Sequence, residues 1–282
     1  MSDLYIPQLY VPNQKPMLGA IPVHHDSGLV GNWIMNENGG STVADSSGNG
    51  KTGTFVGDTH FVPGKFGSCL SFDGIGDYVD VGDKDGLNIR TGNFSASVWI
   101  KNTGLNPAGT ILSKLFFDSV YNFGWSLSLN NAVLGGATQA GYIDFFMAYD
   151  ESSLDYSFDA SLDDGNWHHI AFTLERDSST GLKLFKDGVQ IGVSQDVTGV
   201  SGDIDNHESF TIGALDSGAF GLLGYFNGSI DDVMIFNRTL SASEIKELYT
   251  NPFALYQPEP IWSISGAAPV TSTGQVIMIN MF

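Results

Sequence analysis

The chain has 282 residues, and its 31 Asp and Glu against 12 Lys and Arg give a formal net charge of −19. This acidic balance argues against a partner such as nucleic acid or an anionic membrane, because binding either one needs a surplus of basic side chains. Hydrophobic residues make up 42% of the chain, which is too many for wholesale disorder. The 35 glycines follow no collagen-like period, so they favour a protein with many tight turns.

The length fits one large β domain or two small domains. Cys69 is the only cysteine, so we expect it to be buried in a strand, with no intrachain disulfide. No segment is long and apolar enough to span a membrane, and residues 1–16 lack the basic and apolar regions of a secretory signal. We therefore expect a soluble protein that is made in a cytoplasm.

Residues 1–27 contain four X-Pro pairs separated by apolar and aromatic side chains. A residue before Pro is restricted to extended conformations. This pattern predicts an extended N-terminal arm that packs on another surface, and a disordered leader is the alternative.

Residues 28–249 are dense with short strand signals, and the clearest are 94–101, 142–148, 168–174, 182–185, 189–193, 210–212 and 230–236. In the first of these, alternation places Phe94, Ala96, Val98 and Ile100 on one face. Asp187-Gly188 between two apolar segments is a strong hairpin signal. The pattern predicts an all-β, antiparallel jelly-roll sandwich.

One short helix is predicted near the end of this region. Ser241 is its N-cap, Glu244 completes a capping box, and Asn251-Pro252 ends the helix. Residues 250–282 are then interrupted by proline and finish in the apolar segment 276–282. An exposed segment of this kind adds to a sheet edge, so we expect an assembly tail that pairs with a sheet edge in the same or a neighbouring subunit.

Several motifs of residues 28–249 occur in an order that resembles the laminin-G-like, concanavalin-A-like lectin superfamily. They are Gly28 to Trp33, Asp45 to Gly50, Gly64 to Gly74, Gly76 to Val79, Asn166 to Ala171, Leu184 to Gly188 and Phe226 to Ser241. The resemblance implies one jelly-roll domain over 28–249. It leaves the function open, because one fold hosts many functions.

A shorter match lies at the C-terminal side. Residues 248–256 and Ile261-Trp262 resemble the C-terminal segment of laminin-G-like proteins encoded by tailed bacteriophages. This implies a non-enzymatic structural protein of the virion, such as a head decoration, fibre or tail-associated protein. It would be homo-oligomeric, its arms would contact other virion subunits, and it could adhere to a surface glycan. The alternative is a carbohydrate-binding module or lectin that recognises a cell-surface polysaccharide.

The resemblance to the laminin-G-like superfamily implies a structural Ca²⁺ site. The matching ligands are Asp77 with Asp231 or Asp232, and the backbone carbonyl of Gly74 completes the set. Two carboxylates, carbonyls and waters can supply the six to eight oxygens that Ca²⁺ needs. The alternative is that these aspartates only cap turns. The segment Asp203-Ile204-Asp205 also begins like a calcium loop, but Glu208 occupies the position that needs glycine.

Five aromatic residues are concentrated enough to form a stacking platform for sugars: Phe116, Phe117, Tyr121, Phe123 and Trp125. The alternative, which we favour, is that they are strand and core residues. His168 and His169 are expected to point to opposite faces of one strand, so they cannot share a metal ion. The string Gly48 to Gly53 resembles a phosphate-binding loop, but a predicted strand follows it where that loop needs a helix.

We expect no catalytic activity. The E-x-D-x-x-E strand of glycosidases on related folds is missing, and so are the H-E-x-x-H and G-x-S-x-G motifs.

Overall fold

The computed structural model describes residues 28–102, 109–117, 121–130, 140–216 and 221–256. The predicted arm 1–27 and the tail beyond residue 256 lie outside these residues. The strands are β1 (Leu29–Trp33), β2 (Thr42–Val43), β3 (Gly53–Val56), β4 (His60–Pro63), β5 (Ser68–Asp73), β6 (Tyr78–Gly82), β7 (Phe94–Asn102), β8 (Gly109–Phe117), β9 (Asn122–Leu129), β10 (Tyr142–Asp150), β11 (Ser152–Asp159), β12 (Trp167–Leu174), β13 (Leu182–Lys186), β14 (Val189–Gln195), β15 (Phe210–Ile212), β16 (Leu215–Asp216), β17 (Leu222–Leu223) and β18 (Asn227–Phe236).

Two antiparallel sheets form a sandwich, which confirms the predicted all-β jelly-roll class. The first sheet has the order β14-β13-β12-β7-β18-β5-β4, and β1 also pairs with β18. The second sheet has the order β11-β10-β9-β8-β15-β6-β3-β2. Neighbours in these sheets are often far apart in sequence, so each edge of the sandwich collects loops from distant parts of the chain.

The main core lies between the two sheets. Phe94, Ala96, Val98 and Ile100 of β7 all belong to it, as their alternation predicts. Phe172 of β12 packs against Phe94 at a ring-centroid distance of 5.3 Å. The predicted burial of Cys69 in a strand is also observed, since it is fully buried in β5.

The hairpin between β13 and β14 forms where Asp187-Gly188 predicts it. Both turn residues have positive φ, 51° at Asp187 and 75° at Gly188. A two-residue hairpin turn requires such values because they match the twist of the paired strands. The turn packs beneath the helix, because a Cβ at Gly188 would lie 2.9 Å from the Lys246 side chain.

The single α-helix of the described residues, α1, spans Ala242–Thr250. Ser241 accepts a hydrogen bond from the Glu244 amide, and the Glu244 side chain accepts one from the Ser241 amide, so the predicted capping box is present. Ile245 and Leu248 pack on the outer face of the first sheet. None of the described helices is long and apolar enough to cross a membrane.

The packed region continues past the predicted domain boundary at Tyr249. A 3-10 turn follows at Ala254–Tyr256. Phe253 is buried, and its ring centroid lies 5.4 Å from that of Phe66. The side-chain amide of Asn32 donates a hydrogen bond to the Tyr256 hydroxyl at 2.6 Å. Residues 250–256 therefore pack on the sandwich.

The Gly48 to Gly53 string leads into strand β3, which begins at Gly53. No helix N-terminus faces this turn among the described residues. The turn is held instead by Asp45, whose carboxylate accepts hydrogen bonds from the amides of Asn32 and Lys51. The turn is therefore structural and lacks the geometry of a phosphate-binding loop.

Candidate functional site

The predicted calcium ligands are divided between two places. Asp77 is buried at the turn between β5 and β6, in the same turn as Gly74. One oxygen of its carboxylate accepts from the Asp58 amide at 2.5 Å, and the other accepts from the Asp73 amide at 3.0 Å. The backbone already uses both oxygens, so Asp77 ties the two ends of the β4–β5 hairpin together.

Asp231 and Asp232 lie in a β-bulge of β18, where Asp232 has a φ of 46°. Asp231 is buried and accepts from the amides of Lys65 and Phe66, in the turn of the β4–β5 hairpin. That turn and the Asp77 clamp lie at opposite ends of β5, roughly 16 Å apart at about 3.3 Å per residue. The four predicted residues do not fit one calcium site.

The five aromatic residues of the predicted platform also separate. Trp125 is only 2% exposed and lies in the main core, 5.2 Å from Phe94 and 5.4 Å from Phe172. Phe117 packs against a small cluster on the outer face of the second sheet. Trp125 and Phe117 therefore do not belong to a surface platform.

The other three residues of the predicted platform, Phe116, Tyr121 and Phe123, lie at one end of the second sheet. Tyr149, which the sequence analysis did not single out, lies beside them. Phe116, Phe123 and Tyr149 are direct neighbours across β8, β9 and β10. The Phe123 and Tyr149 rings meet edge to face at 5.7 Å. Tyr149 is 37% exposed and Tyr121, just before β9, is 46% exposed. We call these four residues the aromatic row, and the row is partly open to solvent.

Residues 201–209, which we call the rim loop, run along the same end of the sandwich. The Asn206 side-chain amide donates to the backbone carbonyls of Lys114 and Phe123. Gly202 lies directly on Tyr149, since a Cβ there would approach the ring to 2.3 Å. Arg176 donates to the Gly202 carbonyl at 2.7 Å. These contacts fix the rim loop beside the aromatic row.

Charged groups cluster at the rim loop. Asp83, Asp205 and His207 each offer one atom that could bind a metal ion, and these three atoms lie within 4.8 Å of one another. The buried Lys114 ammonium pairs with Asp83 at 3.0 Å. Burial of Asp83 opposes its ionisation, but the hydrogen bond and charge of Lys114 dominate and hold the pKa of that carboxyl below its usual value. Asp83 is therefore an anion at neutral pH.

A second pair of carboxylates lies on the outer face of the second sheet. Asp144 of β10 is buried and accepts a hydrogen bond from Ser157 of β11. Asp155 is exposed, but partial desolvation of its carboxylate, and then the charge of Asp144, raise its pKa to about 6. The two carboxylates are close because β10 and β11 are paired, with Phe146 opposite Asp155.

His168 and His169 point to opposite faces of β12, as predicted. His168 contacts the carboxylates of Asp164 and Asp187. His169 is buried on the outer face of the first sheet, 5.4 Å from the Trp99 ring. The two rings therefore cannot form one metal site.

Sequence reasoning missed Tyr149, Asp83 and His207 as site residues. Asp83 follows β6, and Asp205 and His207 precede β15. They meet because β15 pairs with β6. Phe123 and Tyr149 meet through the register of β9 and β10. The one available signal was Asp203-Ile204-Asp205, which resembles the start of a calcium loop.

A family model described as the concanavalin A-like lectin/glucanases superfamily matches residues 73–246. No curated protein sequence matches the chain. Among solved structures, the binding domain of Paraclostridial Mosquitocidal Protein 1 is similar, with a TM-score of 0.62 and 19% identity over 82% of this chain and 53% of that one. The chain thus spans about half the length of that binding domain.

Two other solved structures share the fold. Domain 4 of AbnA, a GH43 extracellular arabinanase from Geobacillus stearothermophilus, has a TM-score of 0.56 and 20% identity over 78% of this chain and 98% of that one. The binding domain of botulinum neurotoxin DC has a TM-score of 0.57 and 18% identity over 80% of this chain and 51% of that one. These likenesses concern the fold, and the family match covers more than half of the sequence. The chain belongs to the concanavalin A-like lectin/glucanases superfamily.

Proposed function

We propose that this protein is a non-enzymatic glycan-binding domain whose ligand lies on the aromatic row and the rim loop. The observation that carries the proposal is the exposed ring of Tyr149, which is seated on Gly202 and braced by Phe123. A ring held in this way offers a rigid apolar surface, and sugars present apolar faces of C–H groups to such surfaces. Tyr121, just before β9, is also exposed.

The polar side chains beside the rings suit sugar hydroxyls. Asp203 and His207 are exposed in the rim loop, and Asn206 fixes the loop by hydrogen bonds to the sheet. Binding sites combine apolar surface with a few precisely placed polar groups. The aromatic row and the rim loop together provide both. Electrostatics favour a neutral or cationic glycan, because the chain carries a net charge of −19.

Two proteins of similar fold support the proposal by example. The arabinanase domain was determined in complex with arabinotriose. A binding domain of botulinum neurotoxin DC was determined in complex with a molecule named SialylT. Both are below 25% identical to this chain, so neither indicates which glycan this protein binds.

We propose that the Asp144–Asp155 pair is structural rather than catalytic. Asp144 is buried and accepts a hydrogen bond from Ser157, so it cannot reach a substrate. The sequence also lacks the E-x-D-x-x-E strand. Release of new reducing ends from any bound polysaccharide would contradict this part of the proposal.

We further propose that this domain acts in a bacteriophage virion, as a homo-oligomeric decoration, fibre or tail-associated protein in contact with other virion subunits. The support is the resemblance of residues 248–256 to laminin-G-like phage proteins. Phe253 and Tyr256, both in that segment, pack on the sandwich. Mass spectrometry of purified particles tests this role: the protein is expected in intact virions, and its absence from them would contradict the proposal.

An array of bacterial surface polysaccharides, probed with the full chain, tests glycan binding. Tyr149→Ala should lower affinity for the tightest ligand about tenfold, since a stacked ring contributes about 0.5–1.5 kcal/mol beyond its buried area. Tyr149→Phe keeps the ring and should retain most binding. Tyr78→Ala, a half-buried tyrosine of β6, is the control. Equal loss in Tyr78→Ala and Tyr149→Ala, or no ligand at all, would refute the site.

A further inference from the structure

We propose that Asp83, Asp205 and His207 bind one divalent transition-metal ion of the Zn²⁺ type. One donor atom of each residue lies within 4.8 Å of the other two, which is close enough for a single ion to contact all three after small side-chain movements. His207 Nδ1 is already 3.5 Å from Asp83 Oδ2. The proposal does not rest on glycan binding.

A buried oxygen of Asp205 is the independent observation that points to a cation. The Asp205 side chain is only 7% exposed. Its Oδ1 is buried and accepts no hydrogen bond from any described residue. A carboxylate oxygen deprived of both water and a donor is unfavourable, and an ion or an ordered water is the usual explanation. Asp205 with this unpartnered oxygen belongs to the same cluster as the Asp83 carboxylate and the His207 imidazole, which favours a metal ion.

The two carboxylates are also held from outside the cluster. Lys114 Nζ pairs with Oδ1 of Asp83 at 3.0 Å, and the Lys114 ammonium is fixed in turn by the Glu208 carbonyl at 2.6 Å. Arg90 pairs with Oδ2 of Asp205 at 3.4 Å. One oxygen of each carboxylate is thus bound by a basic side chain, and Asp83 also accepts hydrogen bonds from Asn88 and His207. Such outer contacts orient metal ligands and are typical of metal sites.

The donor types select the ion. Two carboxylates and one imidazole suit Zn²⁺, which binds three protein ligands and leaves a position for water or another ligand. Ca²⁺ prefers six to eight oxygen ligands, and an imidazole nitrogen is a poor substitute. His207 is 80% exposed, so the open position would face solvent. This set shares no residue with the predicted calcium ligands Asp77, Asp231 and Asp232.

Isothermal titration of the chelator-treated full chain with ZnCl₂, and separately with CaCl₂, tests the proposal. We expect one Zn²⁺ per chain and weaker or no binding of Ca²⁺. His207→Ala and Asp205→Asn should each lower Zn²⁺ affinity at least tenfold. Asp203→Asn is the control, because Asp203 also pairs with Arg90 but lies outside the cluster.

His207→Ala alters an exposed side chain, so its fold can be checked by circular dichroism and should be unchanged. His60→Ala, at another exposed histidine, controls for adventitious binding of Zn²⁺ to surface imidazoles. Zn²⁺ affinity that is unchanged in both cluster variants would overturn the proposal. Tighter binding of Ca²⁺ than of Zn²⁺ would overturn the assignment of the ion. Tyr149→Ala, which lies outside the metal cluster, tests glycan binding separately.

Discussion

His169 makes the stability of this protein depend on pH in a way that can be measured. The ring is buried between Trp99 at 5.4 Å and Tyr249 at 6.1 Å. Its Nδ1 has no hydrogen-bond partner among the described residues. Burial lowers the pKa of His169 from 6.5 to about 4, and the charge of Asp187 only partly opposes this. The folded protein therefore resists protonation of this ring.

The sign and size of the effect follow from this difference in pKa. Because the unfolded chain binds the proton more tightly than the folded chain, the free energy of unfolding falls as the pH drops through 6.5 towards 4. At pH 4.5 the loss is about 2.5 kcal/mol relative to pH 7.5. For a chain of this length that corresponds to a fall in Tm of roughly 5–10 °C.

Thermal melts of the wild type and of His169→Phe, between pH 7.5 and pH 4.5, isolate this contribution. Carboxylates titrate equally in both proteins, so their effects cancel in the difference. His169→Phe cannot be protonated and should lose less stability at low pH than the wild type, by about 2.5 kcal/mol. His60→Phe, at an exposed histidine, should follow the wild type. Parallel pH profiles for the wild type and His169→Phe would refute the reasoning.

Three further effects are expected in the same assay. Ser241→Ala removes the N-cap of α1 and should cost about 1 kcal/mol, whereas Ser243→Ala should cost little; equal effects would contradict the cap. Asp155→Asn should raise Tm at pH 7.5 but not at pH 4, because the raised pKa of about 6 means that ionising Asp155 destabilises the fold above that pH. Asp159→Asn, on the same strand, is its control. Asp77→Ala should lower Tm equally in calcium and in chelator, because its oxygens accept amide hydrogen bonds; a loss confined to calcium would restore the calcium site.

Local signals in the sequence were enough to predict much of the fold. The alternation in β7, the Asp187-Gly188 turn and the capping box at Ser241 each depend on residues within a few positions of one another. Strand β11 was missed although its sequence carries a strand signal. Leu154, Tyr156 and Phe158 alternate with polar side chains and face the main core.

The cluster of Asp83, Asp205 and His207 could not be predicted from the sequence, because these residues meet only through strand pairing. Asp83 and Asp205 are distant in sequence and become neighbours when β15 inserts between β6 and β8. Trp125 illustrates the opposite situation, because the favoured interpretation of its segment was a core position. It lies in an aromatic-rich segment that suggested a platform, yet it alternates with Ser126 and faces the core with Leu127. The alternation of Trp125, Leu127 and Leu129 with small and polar residues favours the core-facing position already in the sequence.

Hydrogen–deuterium exchange with the tightest ligand from the polysaccharide array tests most directly whether a glycan binds at the rim. Saturating ligand should slow exchange in peptides that cover Tyr121 to Phe123 and the rim loop, because their amides lie beneath the proposed sugar. Peptides from β11, β14 and α1 should be unchanged. Protection confined to β11, β14 or α1, with no change at the rim loop, would contradict the account.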